Sequence, residues 1–286
     1  MRRKRNVAIV MVGMILILLL AVAGCSQKEG SKSGDDGQGT AKLEGTLTIA
    51  GSTSVQPFSE VLAEKFQEKN PGVKVNVQGG GSSQGVEATI SGAADIGAVS
   101  RDLSDEEKNR AKLTVTPIAI DGVAIVVNPA NQVSGLKTED VKNIYLGNIK
   151  NWKEIGGIDA PITVVSREDG SGTRDAFTNI VMNKEDIVKS AIIQNSTGAV
   201  KTTVAGDKNA IGYVSMSKVG KDIKALDIDG NQAIEANVKS GTYKLQRPFI
   251  YITKDNPQGL AKAFIDFVLS PEGQNIIVEE GAFKIK

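Results

Sequence analysis

The chain has 286 residues, of which 40% are hydrophobic and 23% charged, enough apolar material for the cores of two ordinary domains. The first five residues carry four of the 34 basic side chains, and without them 30 basic residues stand against 33 acidic ones, a net charge of −3. A slightly acidic chain argues against nucleic-acid binding. Histidine is absent and there is one cysteine, so the usual general base, an intrachain disulfide and a thiolate metal cluster are excluded. We therefore expect neither a metal nor a cofactor.

The first 24 residues have the pattern of a secretory signal peptide. Basic residues precede an apolar run, 7–20, that is short for a membrane-spanning helix, and small residues follow it. The segment Val22-Ala-Gly-Cys25 resembles the bacterial lipobox, and this resemblance implies that Cys25 becomes the lipidated first residue of the mature chain. Residues 25–42 are polar and predict a flexible tether. We expect an extracytoplasmic protein that a lipid anchors to the cell membrane.

Strands and helices alternate in the first part of the predicted folded region. Strands are predicted at 47–50, 73–77 and 95–99, and helices at 58–69, at 86–91 and in a stretch led by 104–107. This alternation predicts an α/β fold with mostly parallel strands. Ligands of such sheets bind at the carboxyl ends of the strands. Loops rich in Gly, Ser and Thr stand at those ends, at 51–54 and 79–85, and Ser100 follows the third strand.

A third loop of this kind, 166–173, separates an apolar strand from a helix. A helix N-terminus offers unpaired N–H groups and a positive dipole end, which favours an anion. Arg167 adds a planar fork of donors, and Asp169 can hold that fork in place. The residues that allow close backbone approach or add hydroxyl donors are Gly170, Ser171, Gly172 and Thr173. The segment predicts an anion site; the alternative is an ordinary capped helix with Arg167 on a solvated face.

The second part of the chain continues the α/β pattern. Two apolar runs, 114–120 and 123–127, are interrupted by Asp121-Gly122. The later predicted strands are 161–165, 211–215 and 249–253, and the predicted helices are 138–146, 176–182, one starting at 197, 259–269 and 271–280. The segment Gly81-Ser-Ser-Gln-Gly85 matches the nucleophile elbow of α/β-hydrolases, but that mechanism needs a histidine base. We predict that the protein is not an enzyme.

The sequence resembles the phosphate-binding proteins of bacterial phosphate ABC transporters, the PstS type. The segments that carry the resemblance are Gly51-Ser-Thr-Ser54, Gly81-Ser-Ser83, Arg167-x-Asp-Gly-Ser-Gly-Thr173, Ala210-Ile-Gly-Tyr-Val214 and Phe264-x-Asp-Phe-x-Leu-Ser-Pro-Glu-Gly273. The resemblance implies a two-lobed periplasmic-binding-protein fold of type II that closes over one phosphate in the cleft between the lobes. It implies two hinge crossings, near Ile120 and Phe249, with lobe I formed by 44–119 and 250–286 and lobe II by 120–249. The expected partners are phosphate and the permease and ATPase subunits of the transporter, and the protein is expected to be a monomer.

The resemblance also assigns site residues, carried over position by position. Those that it implies as phosphate ligands are Thr53, Ser54, Ser82, Arg167, Ser171, Gly172 and Thr173. It implies that Asp169 orients Arg167, and neighbouring hydroxyls that support the site are Ser52, Ser83 and Ser100.

One position departs from the family pattern. Many relatives carry an aspartate after the serine that ends the third strand, and it accepts the proton of hydrogen phosphate, a device that rejects sulfate. Arg101 occupies this position here. If Arg101 faces the ligand it is a second cation of the site, and the acceptor is then Asp121 or Asp102, of which we favour Asp121. The alternative is that Arg101 pairs with Asp102 or Asp121 and that discrimination is weaker.

Three other functions fit the same residues. The first is binding of another tetrahedral oxyanion such as sulfate or molybdate, which competition titration would separate from phosphate binding. The second is a secreted phosphoryl or ester hydrolase, which turnover of a chromogenic ester would test. The third is an adhesin or signalling module that keeps the fold, and dependence of phosphate uptake on this protein would distinguish it.

Overall fold

A computed structural model describes residues 42–285. The predicted signal peptide, the lipidation site Cys25 and all but the last residue of the predicted tether lie outside the described residues. Among the residues that are described, no helix is both long and apolar enough to cross a membrane.

Strands and helices alternate along the described residues much as the sequence predicts. The strands are β1 (Glu44–Gly51), β2 (Gly72–Gly79), β3 (Ile96–Val99), β4 (Leu113–Val127), β5 (Gly135–Leu136), β6 (Thr163–Arg167), β7 (Ile192–Gln194), β8 (Ala210–Ser215), β9 (Lys224–Ala225), β10 (Asp227–Ile228) and β11 (Gln246–Lys254). The helices are α1 (Gln56–Lys69), α2 (Ser82–Ser91), α3 (Asp105–Arg110), α4 (Thr138–Leu146), α5 (Gly172–Ile180), α6 (Thr197–Gly206), α7 (Glu235–Ser240), α8 (Gly259–Leu269) and α9 (Pro271–Glu279). The short elements β5, β7, β9, β10 and α7 lack a sequence pattern strong enough to predict them.

The main sheet has the strand order β2-β1-β3-β11-β4-β8-β6-β7. The three strands at each end of this order, β2-β1-β3 and β8-β6-β7, pair in parallel, as expected. In the middle of the sheet β11 pairs antiparallel with both β3 and β4, and β4 pairs antiparallel with β8. We call the part around β1, β2 and β3 lobe I and the part around β6, β7 and β8 lobe II. Strand β4 runs from lobe I into lobe II. Strands β1, β2 and β3 of lobe I are parallel to β4, whereas β6, β7 and β8 of lobe II are antiparallel to it. The C-terminal ends of both sets of strands therefore lie at the junction between the lobes. Loops from both lobes therefore meet there.

Strand β4 is continuous, although the sequence pattern predicts a break at Asp121-Gly122. Its first part pairs with β11 from Leu113 to Gly122, and its last five residues pair with β8. The break is absent because Asp121 is fully buried with hydrogen-bond partners, so its carboxylate does not force the strand to the surface. Gly122 leaves room for the Met216 side chain, which a Cβ at this position would overlap.

The hydrophobic core is divided between the lobes. One cluster packs around Leu47, Ile49 and Phe264 of lobe I, and a smaller one packs around Val86 and Val99 of the same lobe. Two others pack around Tyr213 and Val200 of lobe II. The lobe boundaries that the resemblance implies, 44–119 with 250–286 and 120–249, remain a prediction. Two residues depart from them, because Phe249 packs in the lobe I cluster and Phe283 packs in a lobe II cluster. Phe283 also exchanges two backbone hydrogen bonds with Ile120, each 2.9 Å long.

Candidate functional site

Four helix N-termini meet where the two lobes face each other. Helices α1 and α2 follow β1 and β2 of lobe I, and α5 and α6 follow β6 and β7 of lobe II. Ser171 caps α5 by accepting a hydrogen bond from the Arg174 N–H, and Ser196 caps α6 in the same way. Gly81, which precedes α2, has a φ of 100°, a backbone conformation that favours glycine. The loops therefore bring the positive dipole ends of four helices to one place.

Buried hydroxyl groups fill the centre of this junction. The Ser54 Oγ lies 3.0 Å from Thr173 Oγ1 and 2.9 Å from Thr197 Oγ1, so a lobe I hydroxyl contacts two lobe II hydroxyls. Thr53 Oγ1 accepts a hydrogen bond from the Thr197 N–H at 3.2 Å. All of these side chains except that of Thr53 are almost completely buried. We call Ser54, Thr173 and Thr197 the hydroxyl cluster.

A second group of hydroxyls adjoins the hydroxyl cluster. Ser100 Oγ accepts from Ser52 Oγ at 2.9 Å and lies 3.3 Å from Ser82 Oγ. Gly172, the first residue of α5, packs directly on this group, and a Cβ there would overlap both Ser82 Oγ and Ser100 Oγ. A glycine is therefore required for lobe II to approach lobe I this closely.

Arg167 reaches the hydroxyl cluster from the end of β6. Its buried guanidinium donates to both carboxylate oxygens of Glu168 at 2.7 Å, and its Nη1 donates to Thr197 Oγ1 at 3.2 Å. The resemblance implies Asp169 as the partner of Arg167, but the structure differs. Asp169 is exposed and pairs with Arg174 at 2.7 Å, because the chain turns outward after Glu168.

Arg247, in β11, is a second buried guanidinium of the site, which the sequence analysis missed. Its Nε and Nη2 lie 2.9 Å from Asp121 Oδ2, and the other oxygen of Asp121 accepts from Ser215 Oγ at 2.7 Å. Burial raises the pKa of the Asp121 carboxyl and lowers the pKa of the Arg247 guanidinium, and the attraction between the two groups opposes both shifts.

The remaining donors of Arg247 point at hydroxyls from both lobes. Nη1 donates to Thr173 Oγ1 at 2.8 Å and to Ser100 Oγ at 3.2 Å, and Nη2 donates to Ser54 Oγ at 3.1 Å. The sequence held one signal for this residue. An acid inside an apolar strand, Asp121, needs a buried cation, although the sequence does not say which one.

Arg101 lies outside the hydroxyl cluster. Its guanidinium donates to both oxygens of Glu107, to Asp175 Oδ2 at 2.6 Å, to Ser83 Oγ at 3.0 Å and to the backbone oxygen of Asp102. These contacts occupy all of its N–H groups. The expected alternatives, a contact with the ligand or pairing with the Asp102 or Asp121 carboxylate, are replaced by a pairing with Glu107 and Asp175.

The predicted site residues thus divide into two sets. Those brought together at the junction are Ser52, Thr53, Ser54, Ser82, Ser100, Arg167, Gly172 and Thr173, with Ser171 as the cap of α5 and Asp121 behind Arg247. Those placed outside the hydroxyl cluster are Arg101 and Ser83, which contact each other, and the exposed Asp102 and Asp169. The sequence analysis missed Thr197 as well as Arg247, although Asn195-Ser-Thr-Gly198 has the composition of the other anion-suited loops.

The arrangement is suited to binding an anion. Hydroxyl groups, helix N-termini and two guanidinium groups supply hydrogen-bond donors from all sides. Each guanidinium is already paired with one carboxylate, so the site gains charge-assisted donors without carrying a large net charge.

Comparison with known proteins identifies the family. A family model described as the PBP superfamily domain matches residues 36–272, so the chain is a member of this superfamily of binding proteins. The chain is 37% identical over 285 residues to the phosphate-binding protein PstS of Bacillus subtilis (strain 168), a match that covers 98% of this chain and 94% of that protein. It therefore belongs to the PstS family.

Solved structures agree with this assignment. A phosphate ABC transporter substrate-binding protein from Clostridium perfringens, solved with bound phosphate, is 44% identical and superimposes with a TM-score of 0.82, covering 85% of this chain and 100% of that one. An ABC-type phosphate transport receptor from Vibrio cholerae is 39% identical, with a TM-score of 0.71 and coverage of 84% and 100%. The two-lobed periplasmic-binding-protein fold predicted from the sequence is thus confirmed.

Proposed function

We propose that this protein captures inorganic phosphate outside the cytoplasmic membrane and delivers it to an ABC importer. The observation that carries the proposal is the hydroxyl cluster, Ser54, Thr173 and Thr197, which lies between the guanidinium groups of Arg167 and Arg247. The proposal is supported by the relatives of this chain, because one is the phosphate-binding protein PstS and another was solved with bound phosphate.

Binding and closure are coupled in this proposal. A phosphate that accepts hydrogen bonds from both lobes interacts more strongly with the closed arrangement than with an open one, so it shifts the population toward closure. Charge-assisted hydrogen bonds contribute about 1.5–3 kcal/mol each. Micromolar affinity requires about 8 kcal/mol, which several such bonds supply after the cost of ordering the site. The closed shape is then what the permease recognises.

The carboxylates nearest the cluster are already engaged. Both Glu168 oxygens accept from Arg167, and the Asp121 oxygens accept from Arg247 and Ser215. We therefore propose that Asp121 positions Arg247 instead of contacting the phosphate proton. A hydroxyl can accept a hydrogen bond as well as donate one, so a hydroxyl of the cluster accepts the hydrogen bond from the phosphate O–H. A hydroxyl does not repel sulfate as a carboxylate does. We therefore expect sulfate to compete with phosphate for the site, although only weakly.

The finer features of the proposal come from the sequence. They are a lipid on Cys25 that anchors the protein to the membrane, permease and ATPase subunits as partners, a monomeric state, lobe boundaries at 44–119 with 250–286 and at 120–249, and the absence of catalysis. Labelling with radioactive palmitate tests the anchor, and replacement of Cys25 by Ala should abolish the label. Size-exclusion chromatography with light scattering tests the monomer.

Calorimetric titration of the fragment from residue 42, stripped of bound anion, tests the function. We expect one phosphate per chain, with sulfate bound more weakly than phosphate. Arg167→Ala should weaken phosphate binding by tenfold or more, because it removes a buried charged donor. Lys153→Ala is the control, since Lys153 forms an exposed pair with Asp159 in lobe II. An Arg167→Ala protein with the affinity of the parent would contradict the site, and a parent that ignores phosphate would contradict the function.

A further inference from the structure

Arg247 differs in its position from Arg167, the other guanidinium group of the site. It lies in β11 directly opposite Asp121 of β4, and these two strands are the ones that join the lobes. Its side chain is 1% exposed, and its guanidinium lies over the ring of Phe249, with 5.3 Å from its central carbon to the ring centroid. Packing and the Asp121 carboxylate therefore hold the guanidinium in one orientation.

The orientation divides the donors of Arg247 into two groups. Nε and one side of Nη2 face Asp121, whereas Nη1 and the other side of Nη2 face the junction. The acceptors on that side are the hydroxyls of Ser54 and Ser100 from lobe I and of Thr173 from lobe II, together with the backbone oxygen of Ser100 at 3.4 Å. A guanidinium only donates, so each hydroxyl that accepts from it keeps its own proton available for another acceptor. Arg247 thus leaves Ser54 and Thr173 of the cluster free to donate their own protons.

We infer that Arg247 is a phosphate-binding residue, that Asp121 positions it, and that it links the bound anion to the strands joining the lobes. The inference rests on the proposed function. Phosphate takes the place of hydroxyl oxygens as the acceptor for Nη1, and the anion then lies between the guanidinium groups of Arg167 and Arg247.

A purely structural ion pair does not account for the geometry. Asp121 alone satisfies only part of the guanidinium fork, and the rest of the fork contacts Thr173 and Ser54, which belong to the predicted phosphate ligands. The repulsion from Arg167 also disfavours the charge on Arg247. A doubly charged anion between the two guanidinium groups offsets the repulsion between them, whereas the ion pair of Arg247 with Asp121 alone does not.

Replacement of the pair as a unit separates binding from structure. Arg247→Met alone leaves the Asp121 carboxylate buried without its cation, so this single variant loses stability as well as affinity. Arg247→Met with Asp121→Asn removes both charges, and we expect its thermal unfolding midpoint to return toward that of the parent. Its affinity for phosphate should stay weaker than that of the parent by roughly tenfold to a hundredfold, the equivalent of one charge-assisted hydrogen bond. Arg110→Met with Glu87→Gln removes an exposed pair of lobe I and is the matched control.

The outcomes distinguish the inference from the function on which it rests. Phosphate binding by the parent together with binding within threefold of it by the double variant would overturn the role of Arg247 and leave the function standing. A parent that does not bind phosphate would overturn both. Arg247→Lys gives a second route if the double variant does not fold, because it keeps a charge beside Asp121 but lacks the fork. We expect roughly tenfold weaker binding of phosphate by Arg247→Lys, and unchanged affinity would also overturn the inference.

Discussion

Arg101 and Asp175 form an ion pair across the two lobes, and its removal should weaken phosphate binding. Arg101 follows β3 of lobe I, and Asp175 lies in the first turn of α5 in lobe II, with 2.6 Å between Nε and Oδ2. Asp175→Asn keeps the shape of the side chain and removes its charge. Arg101 remains paired with Glu107 of its own lobe, so the variant should fold.

The size of the effect follows from the exposure of the pair. A charge-assisted hydrogen bond contributes about 1.5–3 kcal/mol. The Asp175 side chain is 34% exposed and its partial burial raises the pKa of its carboxyl, so screening and the cost of desolvation together reduce the contribution to ~1 kcal/mol. The contact exists only while the lobes touch, so this free energy enters the binding equilibrium. The dissociation constant for phosphate should rise about fivefold.

The assay is calorimetric titration of phosphate into the parent and into Asp175→Asn at low ionic strength, repeated in high salt. Screening should shrink the difference between the two proteins in high salt. Asp159→Asn is the control, because Asp159 pairs with Lys153 inside lobe II. Equal affinities of Asp175→Asn and the parent at low ionic strength would refute the reasoning. An equal loss in Asp159→Asn would show that any lost charge has this effect.

Two further predictions concern stability and close packing. Burial disfavours the charged form of Glu107, but hydrogen bonds from Arg101 outweigh this and lower the pKa of its carboxyl. The stabilisation from Glu107 is therefore complete above the ordinary Glu pKa of about 4.3 and is lost as the pH falls through the lower folded value. The thermal unfolding midpoint of the parent should fall as the pH decreases across that acidic range, and that of Glu107→Gln should fall less. Midpoints of the two proteins that fall by the same amount with pH would contradict this prediction. Gly172→Ala should weaken phosphate binding by more than tenfold, because its methyl group overlaps Ser82 Oγ, whereas Gly198→Ala meets no atom within 4 Å and should bind normally in the same titration. Equal affinities of these two variants would mean that the lobes do not need close contact at Gly172.

The loops of the site could be predicted from sequence because their signals are local. Glycine, serine and threonine between a strand and a helix indicate an anion-suited N-terminus wherever they occur. The loops at 51–54, 79–85 and 166–173 are all brought to the junction, and helices α4 and α8 have the predicted bounds. That the loops bind one phosphate together remains a prediction.

The parts that the sequence analysis missed depend on contacts between distant residues. Asp121 and Arg247 are 126 positions apart, and only the pairing of β4 with β11 shows that each neutralises the other. Asp121-Gly122 has the composition of a turn, so a strand that continues through it needs the buried partner to be known. Thr197 follows β7, which has only three residues and two exposed isoleucines, so no strand pattern leads to it. The expectation for Arg101 rests on its position after the third strand, whereas its partner Asp175 belongs to the other lobe.

The pairing of β4 with β11 also determines how the lobes can move. The two strands form a hydrogen-bonded ribbon between the lobes, and its register shifts between Phe249 and Ile250. A bulge bends and twists the strand that contains it, so the ribbon flexes there without losing its other hydrogen bonds. Sliding one lobe past the other would shear the whole ladder, whereas folding the ribbon about the bulge costs few bonds. We therefore expect the ribbon to bend at this point more readily than it slides, which favours motions that open and close the cleft between the lobes.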